Sequence, residues 1–75
     1  MTTNRTYLCQ QLYDLSELMD VLMVQISSLE NDLENPNHYV NIFNKHTEWH
    51  HRIDIKNRAY DRLMERYNNT LKQIQ

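Results

Sequence analysis

Residues 8–33 read LCQQLYDLSELMDVLMVQISSLENDL, and within them Leu8, Leu12, Leu15, Met19, Leu22, Ile26, Leu29 and Leu33 follow one another at alternating spacings of four and three residues without a miss. At 3.6 residues per turn these side chains form one narrow stripe, the pattern of a helix that docks on another helix. The stretch predicts a first helix over about residues 5–34, with its N-cap among Thr2, Thr3 and Asn4.

The chain has no glycine, and its one proline is Pro36, so Glu34-Asn35-Pro36-Asn37 is where it turns. Asn35 suits an N-cap and Pro36 the first position of a new helix, where a missing N–H costs nothing. Register separates a turn from a continuous kinked helix. Carrying the first stripe through Pro36 puts Thr47, His50 and Asp54 on the apolar face. Restarting at Tyr39 gives Tyr39, Ile42, His46, Trp49, Ile53, Lys56, Tyr60, Leu63, Tyr67, Thr70 and Ile74. A reset of phase is what two separate helices need in order to face each other.

The predicted fold class is therefore all-α: an antiparallel two-helix, coiled-coil-like hairpin filling residues 1–75 as one unit, with a turn at 35–37 and a second helix over about 37–73. At 1.5 Å per residue the helices would span about 40 and 55 Å, so the second should overhang or fray over Thr70–Gln75. The polar stripe positions His46, Lys56 and Thr70 fit either a device that fixes register or long side chains snorkelling out of a loose seam.

A chain of 75 residues buries only a thin core unless a partner, metal or disulfide adds to it. One cysteine, Cys9, makes no internal disulfide, which suits a reducing compartment. No apolar run approaches the roughly 20 residues of a membrane span, and Asp14 and Glu17 interrupt anything like a signal peptide. A cytoplasmic location is expected. The net charge of −2 argues against a nucleic-acid or anionic-membrane surface. Residues 1–35 carry Arg5 against six acidic side chains, whereas residues 36–75 carry seven basic against four acidic. Folded side by side, the halves should attract each other, although exposed pairs contribute only about 0–1 kcal/mol each.

Two helices meeting along one seam leave apolar surface over. In Leu18-Met19-Asp20-Val21-Leu22-Met23-Val24 only Asp20 is polar, and these residues point around the whole helix. With Met19 and Leu22 in the seam, Leu18, Val21, Met23 and Val24 are surplus, as are Val40, Phe43, Ile55 and Met64 on the second helix. Such a patch marks a partner surface, and its methionine suits a contact that adapts in shape. Self-association into a homodimer or four-helix bundle would bury the same residues.

Candidate chemistry is sparse. His46 and His50 lie one helical turn apart, as zinc ligands do, but His-Thr-Glu-Trp-His is not HExxH, and His51 points elsewhere. A hydrogen-bonded histidine cluster is the expectation, with no metal or cofactor. Cys9 sits among acidic neighbours with no loop to activate it, and Asp14/Glu17 and Glu30/Asp32/Glu34 read as solvated faces, so no catalytic residue is assigned. Arg58, Arg62 and Arg66 form a basic ridge, but Asp54, Asp61 and Glu65 accompany it and the nearby tyrosines belong to the seam, which disfavours nucleic acid.

At the turn, Leu33-Glu34-Asn35-Pro36-Asn37-His38-Tyr39, followed by a second helix ending in Arg66-Tyr67-Asn68-Asn69, resembles the small helical-hairpin chaperones of type III secretion. The resemblance is one of size, architecture and turn motif, with few identities. It implies a co-chaperone that pairs with a tetratricopeptide-like chaperone and keeps a needle-forming subunit monomeric in the bacterial cytoplasm before export. It further implies a partner contact around Leu18, Val21, Leu22, Met23 and Val24, with Asn35 and Pro36 making the turn and Tyr39 packing it. A self-assembling coiled coil and a small helical regulator of a larger protein are the alternatives.

Overall fold

The computed structural model describes residues 4–75, which form three helices: α1 (Arg5–Glu34), α2 (Tyr39–Ile42) and α3 (His46–Ile74). Helices α1 and α3 pack along their length as an antiparallel hairpin, a rod measuring 59 × 15 × 13 Å. Asn4 starts α1, its side-chain Oδ1 accepting the Tyr7 N–H at 3.3 Å; Thr2 and Thr3 lie outside the described residues. All eight stripe residues of α1 are turned from solvent, with Leu8, Leu15 and Met19 buried and the other five half-buried.

The connection departs from expectation. Asn35 does not open a second helix: its N–H donates to the Asn31 and Asp32 carbonyls, making it the C-cap of α1. Its side chain still accepts an N–H two residues on, from Asn37 at 3.0 Å, so it forms a local Asx turn. His38 N–H then closes onto the Asn35 carbonyl, and the helix begins only at Tyr39.

That helix lasts a single turn. Asn44 adopts φ 54°, a left-handed conformation that asparagine tolerates better than most residues. The Lys45 N–H reaches back to the Val40 carbonyl at 2.7 Å, the six-to-one bond of a Schellman C-cap. The expected helix over 37–73 is thus α2, a capped break at 43–45, and α3.

This break explains which stripe positions fail. From His46 onward every one, His46, Trp49, Ile53, Lys56, Tyr60, Leu63, Tyr67, Thr70 and Ile74, is buried or half-buried. Tyr39 and Ile42, placed on the same stripe by extrapolation, are exposed, and Val40, read as surplus, is completely buried. The break also equalises the long helices, at 30 and 29 residues or about 45 Å each. No overhang results: Thr70 is buried, Leu71 and Ile74 are half-buried, and α3 stays helical to Ile74.

The polar seam residues resolve individually. Lys56 lays its stem in the seam and donates from Nζ to Gln25 Oε1 on α1 at 2.8 Å, which is snorkelling to a fixed partner. Thr70 donates its hydroxyl to the Arg66 carbonyl at 2.9 Å, satisfying itself within its own helix. His46 turns into the connection. Among the described residues no buried side-chain polar atom is left without a partner.

Candidate protein-docking face

Two regions of the hairpin bear on function: the outer surface of α1 near its middle, and the closed end where the connection folds over both long helices.

Helix α1 is too apolar for one seam, and the excess emerges on its outside. Leu18 and Val21 are each 53% exposed, and Val24 reaches 69%. Leu18 and Val21 line one surface groove together with Asp14 and Glu17, so the apolar strip has an acidic rim. Leu18 also edges a second groove between the helices, beside Arg66 and Thr70 of α3.

The five residues expected to form one partner surface are not on one face. Leu22 is half-buried in the seam. Met23 is exposed on the opposite flank of α1, in a groove shared with Ile26, Asn57 and Tyr60. What the structure brings together is Leu18 and Val21, with Val24 one turn further along the outside. Residues 21 and 23 are two positions, about 200°, apart on a helix, which is why a run of apolar letters cannot be one face.

The charge distribution adds a feature that the sequence left open. The attraction expected between the acidic and basic halves is not realised as ion pairs: among the described residues, no Lys or Arg of α3 pairs with an acidic residue of α1. The Lys and Arg pairs that form are Lys45–Glu48, Arg52–Glu48 and Arg58–Asp54, all outside α1, and the one contact to an acid of α1 is that of His38 in the connection with Asp32. Arg62 and Arg66 form no ion pair among the described residues, although Arg66 lines one groove with Asp14 of the acidic rim, and Asp14 accepts from the Gln10 side chain at 3.0 Å. Within the rim, hydrogen bonding to Glu17 is the chief influence raising the Tyr13 phenol above its ordinary pKa, with the negative charge of Asp14 a lesser one.

The closed end is the most organised part of the molecule. Asn41 donates its side-chain amide to the carbonyls of Asp32 and Leu33, each at 3.1 Å, and to that of Asn35, supplying a donor to Leu33 and adding to the Asn35 and His38 N–H groups that already reach Asp32 and Asn35. His46 Nε2 lies 2.6 Å from Asn41 Oδ1 and its Nδ1 lies 2.9 Å from Asn44 Oδ1, so this ring holds the capping amide in place. His38 accepts the Val40 N–H at Nδ1, which puts the ring proton of the neutral form on Nε2, 3.5 Å from Asp32 Oδ1. Trp49 donates to the other oxygen of the same carboxylate at 3.4 Å. The rings of His38, Tyr39 and Trp49 pack together, and the Arg52 guanidinium lies 4.6 Å from the centre of the Trp49 ring.

Of the expected turn residues, Asn35 caps α1, Pro36 lies in the exposed bend, and Tyr39 packs the closed end while staying half open to solvent. The expected histidine cluster is not assembled: His46 is committed to Asn41 and Asn44, and His50 and His51 are exposed. Among the described residues no group of three or more His, Cys, Asp or Glu is arranged to hold a metal ion. Sequence reasoning missed His38 and Asn41, and their signal was local: a side chain able to cap, placed just before or within the single turn of α2.

No helix among the described residues is long and apolar enough to cross a membrane. No protein-family model, curated protein or solved structure matches the chain.

Proposed function

We propose that this chain is a non-enzymatic docking module that presents the outside of α1 to a helical protein partner. The observation that carries the reading is the exposure of Leu18, Val21 and Val24 on a helix whose seam is already filled by eight other apolar side chains. Burying a large aliphatic side chain contributes about 1.5–3 kcal/mol, so an amphipathic partner helix covering this strip gains a hydrophobic centre with a polar rim.

In its narrower form the proposal makes the chain a cytoplasmic co-chaperone. It would pair with a tetratricopeptide-like chaperone, and the two would keep a type III secretion needle subunit soluble and unpolymerised. This form is supported by the resemblance in length, hairpin architecture and the Asn35-Pro36 turn motif, together with an apolar face suited to a concave helical-repeat partner. The longer connection, with its break at 43–45, is this chain's departure from the short turn of that pattern.

The test is affinity capture of the tagged full chain from its native cells, followed by identification of what co-purifies in stoichiometric amount. A tetratricopeptide-like protein together with a small helical secreted subunit supports the co-chaperone. A different single partner, lost on Val24→Asp, retains the docking module and replaces the narrower form.

A further inference from the structure

We infer that the groove between α1 and α3 on the Met23 flank takes a basic amphipathic helix of a partner protein, whose lysines or arginines meet Glu30 and Glu34. Two surface grooves run into one another there, because Glu30 and Asn57 line both. Ile26 and Leu33 of α1 and Ile53 and Tyr60 of α3 make the apolar floor, and all four are only half-buried. Met23, 51% exposed, stands at one end. A channel of this kind between two packed helices has the shape that the apolar face of a third helix fills. Ser27 and Asn57 at its edges are short, so the backbone of that helix can come close.

Charge selects the kind of helix. The ionisable carboxylates of the lining are Glu30 and Glu34, His50 faces them from α3, and no Lys or Arg is among the lining residues. Neither glutamate forms an ion pair among the described residues, since the pairs that form use Asp32, Glu48 and Asp54. Helical spacing adds Asp20, three residues before Met23, and Asp61, four after Asn57, to the same flank. Asp54 lies four after His50 and is answered by Arg58. Arg66, by contrast, lines a groove on the Leu18 side, and Arg62 lies one turn before it. The Met23 flank is therefore apolar at its floor and acidic at its edges.

Both glutamates also sit where α1 itself disfavours them. Glu34 is the last residue of α1, Glu30 lies one turn earlier, and the last turn carries no basic residue. The C-terminal end of a helix bears partial negative charge, so a carboxylate there is unfavourable in the free chain and a cation brought beside it is favourable. Glu30 and Glu34 are about 6 Å apart along the helix, so cations three or four residues apart on a partner helix reach both. A neutral or acidic helix could cover the same floor but would leave this repulsion in place. Opposite charge thus gives the contact its specificity, and the floor gives it apolar area.

This groove lies on the flank away from Leu18 and Val21, so its occupancy is independent of the docking face proposed above. The probe is a synthetic peptide of about 18 residues, about five helical turns, with leucines along one face and lysines along the other. A control peptide carries glutamate in place of every lysine. Each is titrated into the isotope-labelled full-length chain, with backbone amide shifts locating the contact and circular dichroism following the fold. The lysine peptide should bind saturably, moving the amides of Met23, Ser27, Glu30 and Asn57 and leaving those of Leu18 and Val21 in place. Glu30→Lys/Glu34→Lys should weaken binding about tenfold or more and stay helical, because cations suit that end of α1. Val21→Asp should bind as wild type does, which separates this groove from the Leu18/Val21 side. Should the double reversal fail to fold, Glu30→Gln/Glu34→Gln provides the same readout: weaker binding supports the contact and unchanged binding contradicts it. Absence of saturation, equal binding of the glutamate control, or shifts gathered on Leu18 and Val21 would overturn the inference. So would a free chain found to be a dimer with Met23 and Glu30 in its interface, since a second copy would then be the occupant.

Discussion

Trp49 and Asp32 join the two long helices at the closed end of the hairpin: the buried indole donates from Nε1 to the carboxylate Oδ2 at 3.4 Å, seventeen residues away in sequence. The same carboxylate faces His38 with its other oxygen, so one acidic side chain near the C-terminus of α1 ties both α3 and the connection. An acidic group is not favoured there by the helix dipole, and its donors offset that cost. A double-mutant cycle with Trp49→Phe and Asp32→Asn, followed by urea unfolding, should return a coupling of about 0.5–1.5 kcal/mol. A coupling near zero would mean that Trp49 acts by packing alone.

Asn41 caps a helix to which it does not belong, and the chemistry of that cap is specific. Asn41→Ala should cost about 1–2 kcal/mol, because the Leu33 carbonyl loses its donor and that of Asp32 keeps only the Asn35 N–H. Asn41→Asp, nearly the same shape, should cost more at pH 8, since a carboxylate has no hydrogen to give and sets negative charge against the C-terminal end of α1. Equal costs for the two variants would show that the amide contributes only bulk.

Asn44 sits in the left-handed region, so a β-branched residue there should be destabilising by about 1–2 kcal/mol and glycine close to neutral. Thermal unfolding of Asn44→Val and Asn44→Gly checks this. If Asn44→Val were the more stable of the two, the break between α2 and α3 would be of no consequence to the fold.

Val40 and Val24 are the same residue type in opposite surroundings, one completely buried and the other the most exposed aliphatic residue of α1. Val40→Ala should cost about 1–2.5 kcal/mol from lost burial, and Val24→Ala should stay within about 0.5 kcal/mol. Denaturant midpoints measured at equal chain concentration give both values.

The two valines also show how far the sequence is legible. The stripe of α1 was readable because eight apolar residues keep one period for seven turns, and the stripe of α3 is equally regular from His46 on. The place of Val40 is not legible in that period, because the register breaks at Phe43-Asn44-Lys45, where no proline or glycine marks the break and the signal is one asparagine able to adopt a left-handed conformation. Asn35 illustrates the converse. Its side chain makes the turn-type hydrogen bond that asparagine favours, but a three-residue signal does not determine whether a helix follows. On the functional side, the surplus of apolar residues on α1 was visible from composition. Its division between the Leu18/Val21 flank and the Met23 flank was not, because it depends on where α3 lies against α1.

The pairing of charges was likewise beyond reach of the sequence. Opposite net charge on the two halves suggested bridges between them, but Glu48 and Asp54 lie one turn from Arg52 and Arg58 on the same helix and take them first. The acidic rim of α1 is left with neighbours on its own helix, Gln10 for Asp14 and Tyr13 for Glu17, and with Arg66 across the groove.

Val24→Asp separates a docking surface on the outside of α1 from a part of the hairpin's own core. The full-length tagged variant is compared with wild type by circular dichroism and by capture of the stoichiometric partner from native cells. A docking surface gives unchanged helicity and loss of the partner. Loss of helicity, or undiminished capture by a fully helical variant, would contradict it.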